Sequence, residues 1–372
     1  MEKSDPKNLK ADTSYASIDI LRNSIDEIDE KIVSLFNKRL MVAKEIGELK
    51  ELNNDQVQDI ERENSLLKGL EKLNKGPLKN STLNHIYKEI IAASREIQSP
   101  QLVAYLGPEA TFTNIAAIKH FGHSVTFVPR PSIRDVFLEV EKGVVNYGVV
   151  PVENSIEGAV NHTLDLFFES DLKICAEIFY TISHDLLATT GSLEDIKVIY
   201  SHPHAFAQCR RWLRRHLPSA ELSECSSTAH AARKASKESG SAAIAGTEAA
   251  HLYNLQIVSS GIEDFSRNIT RFLVIGHDEA KMTGNDKTSV MFVTTHVPGA
   301  LYKVLKPVAD AEINMAKLES RPTKYENWSY FLFADLEGHI EDSKMRRAID
   351  EMKSLTLYLK ILGSYPKAQN ID

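Results

Sequence analysis

Residues 102–121 read LVAYLGPEATFTNIAAIKHF, and this stretch decides the architecture of the chain. LVAYL is a short apolar run of strand length. Gly107 and Pro108 break it. FTNIAAIKHF then steps at helical spacing, behind a threonine suited to a cap or turn. Strand, turn and helix in that order make the first unit of an α/β domain.

Downstream the alternation continues. VTFVP (125–129) precedes a helix that Ser132 can cap, and YGVVPVEN (147–154) precedes one from about Gly158. KVIYS (197–201) is followed by HAFAQCRRWLRR, LSEC (222–225) by TAHAARKASK, and AAIAG (242–246) by TEAAHLY. Alternation over roughly 180 residues predicts mostly parallel sheets in two lobes with a cleft between them.

Upstream the period is different. Ile18, Leu21, Ile25, Ile28, Ile32 and Leu35 step by three and four, and Val42, Ile46 and Leu49 resume the steps after Arg39 interrupts them. A helix from Ile18 to Leu52 would be about 50 Å long, too long for a small monomeric domain, so a partner chain is expected to cover part of it. A second helix is expected near Asp59 in QDIERENSLLKGL, and a third through TLNHIYKEIIAASREIQ. Beyond the α/β region, HDEAKMTGNDK reads as a linker. TSVMFVTT, GALYKVLKPVADA, INMAKLESR, NWSYFLFADLEG, DSKMRRAIDEMKS and LYLKILGSY then give the order β-α-β-β-α-β, a ferredoxin-like α+β unit. The expected division is a disordered tail at 1–16, a helical domain at 17–98, an α/β domain at 101–278 and the small unit at 286–366.

Bulk properties narrow the function. The 372 residues are 42% hydrophobic and 26% charged, an ordinary globular composition. A net charge of −7 argues against nucleic acid or an anionic membrane as the main partner. No apolar run is long enough to span a bilayer, and MEKSDPKNLKADTSYAS has no signal-peptide core. Cys175, Cys209 and Cys225 are odd in number and scattered, which predicts free thiols in a reducing cytoplasm.

Polar residues at apolar positions mark the candidate sites. Arg39 and Lys50, eleven apart, share one helical face, while Arg22 points roughly 100° away. Arg62 and Glu63 follow Asp59 by one turn, and Ser94 and Gln98 lie four apart. Singly, these are snorkelling or solvated groups. Together, two cations in an apolar seam are costly unless they meet an anion, which predicts a pocket for a small anion. In the α/β region, Thr111, Thr113, Glu153, Asn154, Ser201, His202, Thr270 and Arg271 fall at strand ends, where such folds place ligands. His202 and His204 lack a third ligand at zinc-like spacing, and neither a Gly-rich phosphate loop nor a GxSxG elbow is present. No metal or cofactor is expected.

Residues 18–98 resemble the all-helical chorismate mutase family. The matches are Arg22 in ILRNSID, Arg39 in FNKRL, Lys50 in IGELK, Asp59, Arg62 and Glu63 in QDIERE, and Ser94 and Gln98 in AASREIQ. The resemblance implies that Arg22 from a partner chain, Arg39 and Arg62 hold two carboxylates, with help from Ser94. Lys50 and Gln98 would face the ether oxygen, and Asp59 and Glu63 the ring hydroxyl. A [3,3] rearrangement needs only the reactive conformer held and the developing oxyanion stabilised.

VAYLGPEATFT, VVPVENSIEGAVNHTLDL, YSHPHAFAQC and NITRF resemble the prephenate dehydratase family, in order and spacing. That resemblance implies a two-lobed, periplasmic-binding-protein-like domain. Thr270 would protonate the departing hydroxyl or orient its proton, Arg271 would anchor a carboxylate, and Phe272 would pack against the ring. Asn154, Ser201 and Gln208 would complete the shell. Two positions depart from the family pattern, Ala110 where Gly is usual and His204 where Gln is usual. GALYKVL and ESRP resemble the phenylalanine-binding ACT domain, which implies an effector pocket at Gly299, Ala300, Leu301, Glu319, Ser320, Arg321 and Pro322. The joint expectation is a homodimeric or larger two-activity enzyme under feedback by phenylalanine. The rival is a non-catalytic two-lobed anion sensor.

Overall fold

In the computed structural model, residues 9–53, 60–98, 100–265, 267–322 and 330–368 are described. The chain divides into two units, Met1–Pro100 and Gln101–Asp372.

The first unit is helical: α1 (Leu9–Asn53), α2 (Ile60–Leu73) and α3 (Asn80–Gln98). The polar tail expected at 1–16 is helical from Leu9, because LKADTSYAS contains no Gly or Pro and lets the helix propagate outward. At 45 residues, α1 is about 68 Å long. It meets α3 through small residues. Ala43 and Ala92 are buried, and a Cβ on Gly47 would fall 2.8 Å from the Gln98 Cα. Much of the rest of the seam is exposed: Leu21 is 64% exposed and Leu35 is 62% exposed.

The second unit starts with β1 (Leu102–Leu106), α4 (Phe112–Phe121), β2 (Thr126–Arg130), α5 (Ile133–Glu141), β3 (Tyr147–Asn154), β4 (Gly158–Ala159), α6 (Asn161–Glu169) and β5 (Lys173–Thr181). The chain then crosses to a second lobe. This lobe is built from β6 (Asp185–Ala188), β7 (Val198–Ser201), α7 (Pro203–Gln208), α8 (Arg210–His216), β8 (Glu221–Glu224), α9 (Thr228–Ala235), β9 (Ser241–Ala245), α10 (Thr247–Tyr253) and β10 (Gln256–Ser259). It returns as β11 (Ile269–Gly276), which inserts between β3 and β5 in a sheet of order β2-β1-β3-β11-β5. The second sheet runs β10-β6-β9-β7-β8.

Both sheets are mixed rather than mostly parallel. β1 pairs parallel with β2 and β3, and β7 with β8 and β9. β11 runs antiparallel to both of its neighbours, and so does β6. The physical reason is the double crossing: β6 and β11 are the strands that enter and leave the second lobe, so neither closes a right-handed βαβ crossover. The expected caps form. The Ser132 hydroxyl accepts from the Asp135 N–H at 3.1 Å, and Thr111 accepts from the Asn114 N–H at 3.4 Å.

The C-terminal elements are β12 (Asp286–Val293), α11 (Ala300–Asp310), β13 (Met315–Pro322), β14 (Tyr330–Glu337), α12 (Ser343–Ser354) and β15 (Tyr358–Pro366). They form a sheet of order β13-β14-β12-β15, the ferredoxin-like arrangement. One face packs on α11 and α12 through Val290, Phe292, Val304 and Ile349. The other face joins the first lobe: Met291, Phe333, Leu362 and Tyr365 cluster with Leu164, Phe167, Leu273 and Ile275. The small unit therefore shares a core with the lobe. Among the described residues, no helix is long and apolar enough to cross a membrane.

Candidate active sites

In the helical unit, Arg39 reaches from α1 to α3. Its guanidinium donates to the Ser94 hydroxyl and, at 3.4 Å, to the Ile90 carbonyl; Ser94 in turn donates to Ile90 O at 2.7 Å. Gln98 lies one turn on from Ser94 against Gly47, with its carbonyl oxygen buried and unpartnered. A buried amide oxygen without a partner among the described residues is a feature that a packed core normally avoids. Lys50 is half-buried at the end of α1, Glu63 is half-buried, and Arg62 is exposed. Asp59 lies outside the described residues. Arg22 is separate: it is exposed, pairs with Asp19 at 3.4 Å, and sits about 25 Å along α1 from Arg39.

In the two-lobed unit, Thr270 opens β11 at the level where the chain crosses between lobes. Asn154, at the end of β3, pairs with it in register. The Asn154 Nδ2 donates to Thr270 Oγ1 at 2.8 Å and to Asn268 Oδ1 at 2.7 Å. Asn268 Nδ2 donates to Gln208 Oε1 at 2.8 Å, and His184 Nε2 meets the same oxygen at 2.8 Å. Gln208 Nε2 donates to Glu157 Oε1 at 3.1 Å. One polar chain thus runs from Thr270 on the first lobe to α7 on the second.

His184 lies in the segment between β5 and β6, buried, with its Nδ1 unpartnered. Burial pushes its pKa below the ordinary histidine value, against the Gln208 bond and nearby Glu263, Asp185 and Glu157, so its ring is held neutral. A neutral ring that donates Nε2–H to Gln208 leaves Nδ1 as an acceptor with no donor among the described residues.

Other expectations are corrected. Arg271 does not face the cleft. Strand alternation turns it to the opposite side of β11 from Thr270, where it pairs with Glu177 at 2.8 Å and Asp335 at 2.6 Å and donates to Tyr365 Oη at 3.0 Å. With 7% of its side chain exposed and both faces of the fork engaged, it has no reach for a substrate carboxylate. Burial alone would lower its pKa, but Tyr365, Asp335 and Glu177 outweigh burial and hold the charge on. Phe272 does share Thr270's face, yet it is one rung deeper, sealed among Tyr105, Ala116, Val149 and Ile178. It supports the strand and offers no face to a ring. Ser201 is fully buried, and its hydroxyl donates to Ile244 O at 2.8 Å, tying β7 to β9. It can offer a ligand only lone pairs.

Sequence reading missed Asn268, His184 and Glu157. Asn268 carried a signal, since it stands two residues before Thr270 in NITRF and so on the same strand face. His184 and Glu157 carried none without the fold. The two departures also have locations. Ala110 adopts φ +61°, a left-handed conformation that costs a residue with a Cβ about 1 kcal/mol. His204 meets Glu157 across the lobes. His202 caps α7 by accepting from the His204 N–H at 3.3 Å.

In the small unit, Gly299 enters α11 at φ +78°, and a Cβ there would meet open space. Glu319, Ser320, Arg321 and Pro322 end β13, the edge strand. Ala300 is buried and Leu301 packs on the helix-covered core. Arg321 pairs with Asp165 of the first lobe at 3.3 Å.

Residues 21–99 match the chorismate mutase type II family, and residues 103–280 match prephenate dehydratase. A bifunctional chorismate mutase/prephenate dehydratase of Aquifex aeolicus is 47% identical over 94% of this chain and 97% of its own length. The bifunctional chorismate mutase/prephenate dehydratase of Escherichia coli K12 is 32% identical over 95% of this chain and 97% of its own. The crystal structure of a prephenate dehydratase from Arthrobacter aurescens in complex with L-Phe superposes with a TM-score of 0.67 at 34% identity, covering 72% of this chain and 90% of that one. With both family regions present in order, and relatives of the same description matching 94–95% of its length, the chain belongs to the bifunctional chorismate mutase/prephenate dehydratase family.

Proposed function

We propose that the chain carries out both reactions of its family, converting chorismate to prephenate in the helical unit and prephenate to phenylpyruvate between the two lobes, as steps of phenylalanine biosynthesis. In the first reaction, Arg39 and Arg62 hold the carboxylates together with Arg22 of the partner subunit. Lys50 and Gln98 meet the charge that grows on the ether oxygen. The exposed apolar seam of α1 favours a second copy as the cover that brings Arg22 into place. Asp59 and Glu63 take the ring hydroxyl.

In the second reaction, Thr270 holds the departing hydroxyl. The observation that carries this reading is the Thr270–Asn154–Asn268–Gln208 chain of hydrogen bonds, a preorganised polar wall at the junction of two lobes. Ring aromatisation supplies the driving force, so alignment and one proton suffice. The ferredoxin-like unit acts as an ACT-type sensor of phenylalanine, with Gly299–Leu301 and Glu319–Pro322 as its pocket. The L-Phe bound in the Arthrobacter relative supports that assignment. Arg271, chained to Thr270 and locked onto Asp335 and Tyr365, gives the sensor a rigid hold on the catalytic strand.

Two variants test the division. Lys50→Ala is expected to lose about 10²-fold or more in mutase turnover, as for one preorganised oxyanion donor, while dehydratase turnover of supplied prephenate survives. Thr270→Ala is expected to do the converse, lowering kcat with little change in KM. A loss of both activities in either variant would contradict separate sites.

A further inference from the structure

Two backbone groups fix the direction of every hydrogen bond in the chain at the lobe junction. The Ile156 and Glu157 N–H groups donate to Asn154 Oδ1 at 2.9 and 3.1 Å. A backbone N–H can only donate, so the atom it meets is the amide oxygen, and Asn154 turns its nitrogen the other way. That nitrogen supplies Thr270 Oγ1 and Asn268 Oδ1. Asn268, with its oxygen engaged, turns its own nitrogen on Gln208 Oε1. The same Oε1 lies 2.8 Å from His184 Nε2, so that ring nitrogen is the one that carries the proton.

This direction decides what the wall presents. Thr270 Oγ1 accepts from Asn154 and keeps its own proton to give. Gln208 has its oxygen held by two donors, His184 and Asn268, and its nitrogen turned to the junction, where it donates to Glu157 of the first lobe at 3.1 Å. An amide nitrogen has two protons. One goes to Glu157, and among the described residues the other has no acceptor. Prephenate suits such a surface. Its two carboxylates and its keto oxygen can only accept, and its hydroxyl can accept as well.

His184 is built to hold Gln208 still. It is 3% exposed, and its ring stands edge-on to Phe112 with the centroids 5.5 Å apart. Its N–H donates to Glu263 Oε2 at 2.9 Å, and its carbonyl accepts from the Ile262 N–H at 2.8 Å. Turning the Gln208 amide over would set its nitrogen against two donors at once. A ring placed for packing alone would be apolar, whereas here Nδ1 stays buried with no donor among the described residues. That orphaned lone pair is the cost of committing the Nε2 proton to Gln208. We propose that His184 is a positioning residue of the dehydratase site: it locks the Gln208 amide with its nitrogen toward the lobe junction, so that the free N–H binds an acceptor oxygen of prephenate. The inference rests on the reading of the lobe junction as the prephenate site.

The test uses the full chain and supplied prephenate, with kcat and KM measured for the wild type, His184→Leu, His184→Gln, Gln208→Leu, the double variant His184→Leu/Gln208→Leu, and Thr270→Ala. His184→Leu is expected to raise KM about fivefold or more, the worth of one hydrogen bond, with kcat within about twofold of the wild type. His184→Gln restores an N–H at the Nε2 position and is expected to recover most of the wild-type KM. Gln208→Leu is expected to raise KM as His184→Leu does, and the double variant no further, because His184 acts only through Gln208. Nitrogen-15 NMR of the wild-type imidazole, assigned by its absence in His184→Gln, is expected to show the proton on Nε2 and none on Nδ1. A proton on Nδ1 alone overturns the inference whether or not the variants fold. So does an unmoved KM in His184→Leu, or additive effects in the double variant. Loss of kcat in Thr270→Ala beside an unmoved KM in His184→Leu sinks this inference alone, whereas full activity in Thr270→Ala sinks the site on which it rests.

Discussion

Thr270 and Arg271 are neighbours in sequence and face opposite ways. Thr270 joins the amide wall at the lobe junction, and Arg271 anchors the far side of the same strand in a charge cluster with Glu177, Asp335 and Lys287. Removing one member of a buried cluster strands the others. Arg271→Ala is therefore expected to cost about 3–5 kcal/mol of stability by chemical denaturation, with KM for prephenate in the folded protein unchanged. A raised KM at unchanged stability would return Arg271 to the substrate. His184 sets a pH limit. Its folded pKa is depressed, so its contribution is complete above the ordinary value of 6.5 and is lost as pH falls through the lower folded value. The wild type should thus lose more stability than His184→Asn on acidification below 6.5; equal slopes would contradict a neutral buried ring. The part of this site legible in sequence was the part carried by strand alternation and end position, namely Thr270 and Asn154. The fate of Arg271 was not legible, because its partners Asp335 and Tyr365 lie 64 and 94 residues away in the chain.

At the scale of elements, the same contrast holds. Helix periodicity located α1, α2 and α3, and Ser132 marked a cap that forms. The β-α-β-β-α-β order of the C-terminal unit was also legible, since each element carries its own period. Strand direction was not, because β6 and β11 are set by where the chain crosses between lobes, which no local pattern records. The contact between α1 and α3 was equally hidden, and it gives a prediction. Gly47 lets the helices approach until a Cβ would overlap the Gln98 backbone at 2.8 Å. Gly47→Ala should push α3 away, part Arg39 from Ser94, and lower mutase kcat/KM by about tenfold or more, as misplaced groups do, without touching dehydratase turnover. Unchanged mutase activity would mean that the helices can repack around the methyl group.

The whole molecule combines a helical unit whose apolar seam lies open with a larger unit in which catalytic lobe and small sheet share a core. Removing the small sheet would expose Met291's apolar partners and leave Glu177 and Arg271 short of Lys287 and Asp335. Regulation is therefore better probed by substitution at exposed Ser320 than by truncation. The order of the three parts could be read from the chain because each has its own repeat. The fusion of the last two could not, since it depends on one sheet face meeting one lobe. The central claim is that a single chain performs both reactions. The most direct measurement follows the purified chain acting on chorismate, with chorismate, prephenate and phenylpyruvate resolved over time. The account predicts chorismate loss, transient prephenate and phenylpyruvate as the end product. Bound but unconsumed chorismate and prephenate would contradict it and leave an anion-binding protein in its place.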